Sequence, residues 1–327
     1  MHLPRLRHVA FAAFVAAGMI CLLALASRVV VPKNNQVEFG QADAPAFGVL
    51  GEPRDSIDVL FLGDSEAYCS FSPLQLWGEQ GITSYVAATS AQRLPYTRSI
   101  LLKALQNQRP RVVVLETNCL FRKTPTGFAA IRTLSDIFPV FEYHSRWKSL
   151  RPEDFTSTPR ATWTDPNKGY RLRTSVNAAS AERSRTYMEP KGETATIPAL
   201  NRWYLDDIAR ICRENGAQLV LVSTPSVKNW SLSRHACAEQ VAAELDVSYI
   251  DFNMGSEHVD IDWERDTFDK GDHLNLYGAQ KTTSAMGVLL RQTFHVPSHA
   301  GDDAYQSWDD NYARYQKDVK KASWPDE

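Results

Sequence analysis

A serine, a histidine and two aspartates stand out in this sequence as a set able to make or break an ester. Ser65 follows Gly63-Asp64 directly after the apolar run Val59 to Leu62. His273 lies in FDKGDHLNLYGAQK, Phe268 to Lys281, with Asp269 upstream of it and Asp272 adjacent. A serine hydroxyl becomes a useful nucleophile when a base removes its proton, and imidazole serves as that base when a carboxylate fixes its tautomer. Asn118, just past a third apolar run, adds a side-chain amide that could donate to the oxygen on which negative charge develops. Each piece alone has a blander reading: Asp64 or Ser65 could cap a helix, and so could a His-Asp pair at a helix start. What favours chemistry is their shared place, each just past the carboxyl end of an expected strand.

Those strands are read from composition and punctuation. Val59 to Leu62 is short, rich in branched side chains and ended by glycine, as buried parallel strands are. Ser84 to Ala88, Val112 to Leu115, Gln218 to Ser223 and Ser248 to Phe252 repeat the pattern. Helical spacing separates them at Pro73 to Gly81, Pro95 to Gln108, Leu200 to Asn215 and Leu232 to Leu245. Strand and helix in alternation predict an α/β fold with a parallel sheet, whose ligands sit beyond the strand carboxyl ends. A last helix is expected from Leu276 to Arg291, so His273 should open it or lie one residue before it. Adjacent residues there diverge by about 100°, which would turn Asp272 away from the ring and leave it to cap the helix. Asp269, folded back by a turn at Gly271, is the favoured orienting acid, and Asp272 is the alternative.

The amino terminus carries an address. Arg5, Arg7 and His8 precede an uncharged apolar stretch, Val9 to Ala26, which resumes at Val29 to Val31. This composition fits a signal peptide or a membrane anchor. Ala24-Leu25-Ala26 offers a small-x-small cleavage pattern, whereas the length of the stretch favours a retained single-pass anchor. The expected layout is residues 1–8 inside, 9–31 across the membrane and everything after them extracytoplasmic. Residues 32–55 lack periodicity and are expected to be a linker, 56–297 the α/β domain, and 298–327 a polar tail. A formal net charge of −2 gives no pull toward nucleic acid. Export permits disulfides, and Cys212 with Cys237 could pair, buried free thiols being the ordinary alternative. The chain has no C-x-x-C pair, which argues against a zinc site, and neither a metal nor another cofactor is expected.

Taken together, Gly63-Asp64-Ser65, Glu116-Thr117-Asn118 and His273-Leu274-Asn275 with Gly278 resemble the first, third and last blocks of the SGNH (GDSL) hydrolase superfamily. The resemblance implies a flavodoxin-like three-layer sandwich with a parallel sheet, the SGNH-hydrolase fold, over about Asp55 to His295. It implies Ser65 as nucleophile, His273 as base, and the Ser65 N–H with Asn118 as oxyanion donors. The chain departs from the pattern in three places. Thr89-Ser90-Ala91 fills the loop where the second block has glycine, leaving Ser90 as the candidate donor there. Glu116 replaces the glycine that opens the third block, and Lys270 stands where the family places its acid. The anchor adds a looser similarity, to D-alanyl transfer proteins of lipoteichoic acid modification and to enzymes that move O-acetyl groups on cell-surface polymers. That similarity implies an acyl ester or cell-surface polymer as substrate and a multi-pass membrane acyltransferase as partner.

Between the third strand and the return of the α/β rhythm lies a long insertion, residues 120–198. From Arg146 to Lys191 it holds ten basic residues against five acidic ones. Such a surface suits anionic headgroups or polymers, or else is a solvated lid without a partner. His144 and Trp147 are its aromatic pair, for which packing or surface contact is expected ahead of catalysis. Two functions from different classes follow: an extracytoplasmic serine esterase or O-acyltransferase, and a non-catalytic surface protein that binds a glycan or a membrane partner.

Overall fold

The computed structural model describes residues 3–322. Residues 1–2 of the predicted basic segment and 323–327 of the predicted tail lie outside the described residues. In chain order the helices are α1 (Leu3–Val30), α2 (Ala44–Phe47), α3 (Ser65–Ser70), α4 (Pro73–Gln80), α5 (Leu94–Ala104), α6 (Asn118–Phe121) and α7 (Thr126–Ile137). They continue as α8 (Val140–Tyr143), α9 (Glu153–Thr156), α10 (Ala181–Thr186), α11 (Ala199–Glu214), α12 (Leu232–Leu245), α13 (Leu276–Gln292) and α14 (Gln306–Ala322). The strands are β1 (Val59–Leu62), β2 (Ser84–Val86), β3 (Val112–Glu116), β4 (Gln218–Ser223) and β5 (Ser248–Asp251). Two compact units result, one of Met1–Ala42 with Pro125–Thr162, the other of Asp43–Thr124 with Trp163–Glu327.

The larger unit is built on a five-stranded parallel sheet in the order β2-β1-β3-β4-β5. This is the flavodoxin-like order of doubly wound α/β folds. β1 and β3 read VLFL and VVVLE, and every residue of both is buried. Sheets covered by helices on both faces leave no position for a solvent-facing side chain, hence the unbroken apolar runs. Val59 is level with Val112, and Val112 with Gln218, so the neighbouring strands end together on one rim. Behind that rim Phe61 stacks on Phe71 with ring centroids 4.6 Å apart, fixing β1 to the segment that follows α3.

Segments expected to lie outside the domain are packed into it. Residues 43–55 are not a linker: Phe47 and Val49 are buried, and the Tyr85 hydroxyl donates to the Pro45 carbonyl at 2.8 Å. The sequence looked aperiodic because two short helical turns bury their few apolar residues without a repeating stripe. Glu52 accepts from the Lys168 ammonium at 2.7 Å, with both side chains 2% exposed, and that ammonium lies 4.7 Å from the centre of the Trp308 ring. The predicted tail is likewise structural. Trp308 and Tyr315 are buried, and the Trp77 indole N–H donates to Asp309 at 3.0 Å. Spaced aromatics rather than aliphatics carry this helix's inner face, which is why its composition reads as polar. All five cysteines are free, Cys212 and Cys237 included.

The smaller unit contains α1 and the first part of the predicted insertion. Arg7–Val30 is one continuous span of mean hydropathy 2.6, long and apolar enough to cross a bilayer, and none of its apolar window is buried. Residues 32–42, predicted as linker, and 125–162 fold together on its end. Ser27 Oγ accepts from the Val140 N–H at 3.2 Å, and the Lys33 carbonyl accepts from Arg160 N–H at 3.0 Å. Arg146 donates to the Val30 carbonyl and pairs with Asp154 at 2.9 Å. The insertion is therefore not one lid: residues 125–162 belong to the smaller unit and the rest of it to the larger.

Trp308→Ala should cost about 3 kcal/mol, the range for emptying a buried aromatic site. Thermal melts check this; an unchanged Tm would make α14 a passive appendage.

Candidate active site

The site residues lie in the larger unit, on the rim where the strands end. Gly63 leaves β1 with φ +145°, and a Cβ there would stand 2.7 Å from that of Glu116. Only glycine lets the chain turn this close to β3. Asp64 caps α3 by accepting from the Glu66 N–H at 3.1 Å, and Ser65 is the first residue of the helix, half-buried. Asp64 is itself fully buried and accepts twice more, from Asn118 Nδ2 at 3.0 Å and Arg122 Nη2 at 2.9 Å. Asn118 opens α6, and its Oδ1 accepts from Arg234 Nη1 at 3.1 Å. Its amide is thus fixed at both ends, and the second hydrogen on Nδ2 has no acceptor among the described residues.

His273 is held by a compact loop between Thr267 and Leu274, which bridge each other in antiparallel fashion. Asp269 Oδ2 takes the ring's Nδ1 at 2.6 Å, and its Oδ1 accepts the backbone N–H of His273 at 2.8 Å and of Asp272 at 3.2 Å. The acid that orients the ring is thus the one that shapes the loop. Phe268 stacks on the imidazole with centroids 5.7 Å apart. Gly271, at φ +80°, presses so closely on Val227 that a Cβ would meet its Cγ2 at 2.2 Å. Asn177 N–H donates to the Thr267 carbonyl at 2.9 Å, so the second part of the insertion buttresses this loop.

Two expectations about this loop are corrected. His273 neither opens the last helix nor lies one residue before it; α13 begins at Leu276. Its cap is Asn275, whose Oδ1 accepts from Tyr277 N–H at 3.0 Å and Gly278 N–H at 3.4 Å, and not Asp272. Asp272 accepts instead from the Asn229 amide and lies 3.7 Å from the Lys228 ammonium. Ser90 sits exposed in the turn after β2, where Ala91 takes φ +50°, and forms no hydrogen bond to the other site residues. His144 and Trp147 are exposed residues of the smaller unit.

Glu66 was missed in the sequence, and so was Asn229. The Asn229 amide bridges the Glu66 carboxyl, at 2.7 Å, to Asp272. Glu66 is 1% exposed, and its Oε2 has no hydrogen-bond partner; neither has the buried His273 Nε2. Ser65 Oγ is therefore not hydrogen-bonded to the imidazole. Asn229 had one available cue, a polar residue between Val227 and Trp230 beyond the fourth strand. Among the described residues Glu66, Asp272 and His273 bring one ligand-capable atom each within 4.8 Å of the others. A metal ion held there would engage the histidine and deny it to the serine.

Burial and neighbouring charge set the protonation states. Burial works against charging His273, but the Asp269 hydrogen bond and charge, with Asp272 and Asp64 beyond, outweigh it and raise the ring's pKa above 6.5. Burial also pushes at Asp269, yet the His273 contacts hold its carboxyl below the usual range. Glu66 is pushed well above 4.5 by burial and then by Glu116 and Asp64, and Glu116 is raised by burial and Asp64. Both carboxyls are thereby pushed toward the neutral form.

No family model matches the chain, and no curated protein matches it. Solved structures do overlap with it. TesA aligns at 14% identity and TM-score 0.37, over 71% of this chain and 97% of its own. A GDSL-like lipase from Bacteroides thetaiotaomicron VPI-5482 aligns at 11% identity and TM-score 0.35, over 72% and 87%. An acetyl xylan esterase from the rumen bacterium Butyrivibrio proteoclasticus aligns at 9% identity and TM-score 0.34, over 75% and 65%. Overlaps this small carry no argument about activity.

Asp269→Asn should lower turnover of a small ester by about 10³- to 10⁴-fold, with Asp272→Asn far milder. With the neutral ring as the candidate base, the acid limb of kcat/KM should lie above pH 6.5 in the parent and move lower in Asp269→Asn. Equal effects of the two variants would remove the distinction between the acids. For Glu66, the unfolded chain ionises near 4.5 while the fold keeps the proton, so stability falls as pH rises from there toward the raised folded value. Glu66→Gln lacks that loss, and its Tm relative to the parent should climb between acidic and mildly alkaline pH.

Proposed function

We propose that this chain is a serine esterase or O-acyltransferase of the SGNH type, anchored by α1 and acting outside the cytoplasmic membrane. The observation that carries the reading is the imidazole held by Asp269 at 2.6 Å with its other nitrogen unpartnered, on the strand-end rim that also bears Ser65. His273 Nε2 takes the Ser65 proton as Oγ bonds to the acyl carbonyl carbon. Negative charge moves to the carbonyl oxygen, which the Ser65 N–H and the free hydrogen of the Asn118 amide can meet. Collapse expels the alcohol, protonated by His273, and leaves the acyl group on Ser65. Water or an acceptor hydroxyl then attacks, giving its proton to His273 and taking the acyl group, and His273 passes that proton to Ser65 Oγ as it departs.

The acceptor is proposed to be a cell-envelope polymer or glycan, with a multi-pass membrane acyltransferase as acyl supplier where transfer rather than hydrolysis is the outcome. The apolar span of α1 and the basic residues before it support the anchored, single-pass arrangement. A non-catalytic, glycan-binding or partner-binding surface protein is the second reading. It is favoured by the missing Ser65–His273 hydrogen bond and by the tie between Asn118 and Asp64.

A fluorophosphonate probe separates the two. Labelling should occur on Ser65, vanish in Ser65→Ala and fall sharply in His273→Ala. A folded parent protein that takes up no probe would leave the non-catalytic reading standing.

A further inference from the structure

The helix α7 of the smaller unit wears its polarity inside out. Arg132 and Ser135 are buried with Ala129, whereas Phe128, Ile131, Leu134 and Ile137 are exposed, at 37%, 56%, 41% and 62%. The inward arginine is paired with Asp136 and Glu142, each at 2.9 Å. A surface helix in water turns its apolar stripe to the core and its charges outward. Here the charged side is the packed one, so the bare side faces something other than water.

The same unit shows what that is. α8 packs against both α7 and α1. The Val140 N–H bonds Ser27 Oγ in the last turns of α1, and Arg146 bonds the Val30 carbonyl where the apolar span ends. The chain leaving α7 is thereby pinned at the level where α1 emerges. The exposed apolar residues of α1, such as Phe14 and Leu22, belong to the same compact unit. Trp147 is 66% exposed, with the Lys148 ammonium 5.8 Å from its ring centre. Trp and Lys are the side chains that settle at the headgroup level. Arg28, exposed in the final turn of α1, adds a cation there. We infer that α7 lies in the interfacial layer of the bilayer that α1 crosses, its apolar face toward the acyl chains and Trp147 at the headgroups. This rests on α1 being a membrane span.

The full chain, reconstituted in phosphatidylcholine–phosphatidylglycerol vesicles with a diazirine in the acyl chain, tests it by photolysis and peptide mapping. Adducts should appear on residues 126–137 and at Trp147 as well as on α1. An Ile131→Glu, Leu134→Glu variant should lose the α7 adducts and keep those on α1. Adducts on α1 with none on α7 overturn the inference and leave the anchor intact, and cross-links between protein copies at α7 would do the same. No adducts on α1 would overturn the anchor itself.

Discussion

The loop that carries His273 depends on one carboxylate. Asp269 closes the turn through two backbone N–H groups and grips the imidazole with its remaining oxygen. Loop shape and ring orientation cannot then vary independently. Neighbouring segments hold that loop from outside: Lys228 donates to the Asp269 carbonyl, Ser226 to that of Asp272, and Asn177 to that of Thr267. Two of these donors come from the segment after β4 and one from the former insertion. The role proposed for His273, as base to a serine on another strand end, needs this rigidity, because small displacements of reacting groups are costly.

Around the serine the controlling constraint is electrostatic. Asp64, Glu66 and Glu116 are buried together, and three ionised carboxylates could not share so dry a space. Glu66 and Glu116 are held toward the neutral form, while Asp64 has the Arg122 guanidinium. Arg234, stacked over Phe121 and bonded to Asn118, brings a second cation to the cluster. Glu116 receives the Asn118 backbone N–H on both oxygens, so this buried carboxyl positions the candidate oxyanion donor.

How much of this was legible follows from how far apart the interacting residues lie in sequence. Parallel strands buried on both faces show as unbroken apolar runs, so VLFL and VVVLE announced the sheet and its rim. Ser65 and Asn118 were findable because they immediately follow such runs. Asn229 was not, since a polar residue in a loop gains meaning only from Glu66 and Asp272, which the fold brings to it. The last helix was placed correctly, but both Asp272 and Asn275 could cap it by type, and Asn275 alone immediately precedes the first helical residue. Lys168 stood in a basic stretch with no cue of its own; its burial depends on Glu52 and on the Trp308 ring.

That buried ammonium also bears on the timing of folding. Glu52, Lys168 and Trp308 meet at one point, though they are separated by most of the chain, and Trp77 waits for Trp308 in the same way. Contacts this distant in sequence form late, because a long loop must close before they repay its entropy. During synthesis the sheet strands all emerge before α14, so the domain lacks this cover until Gln306–Ala322 has been made.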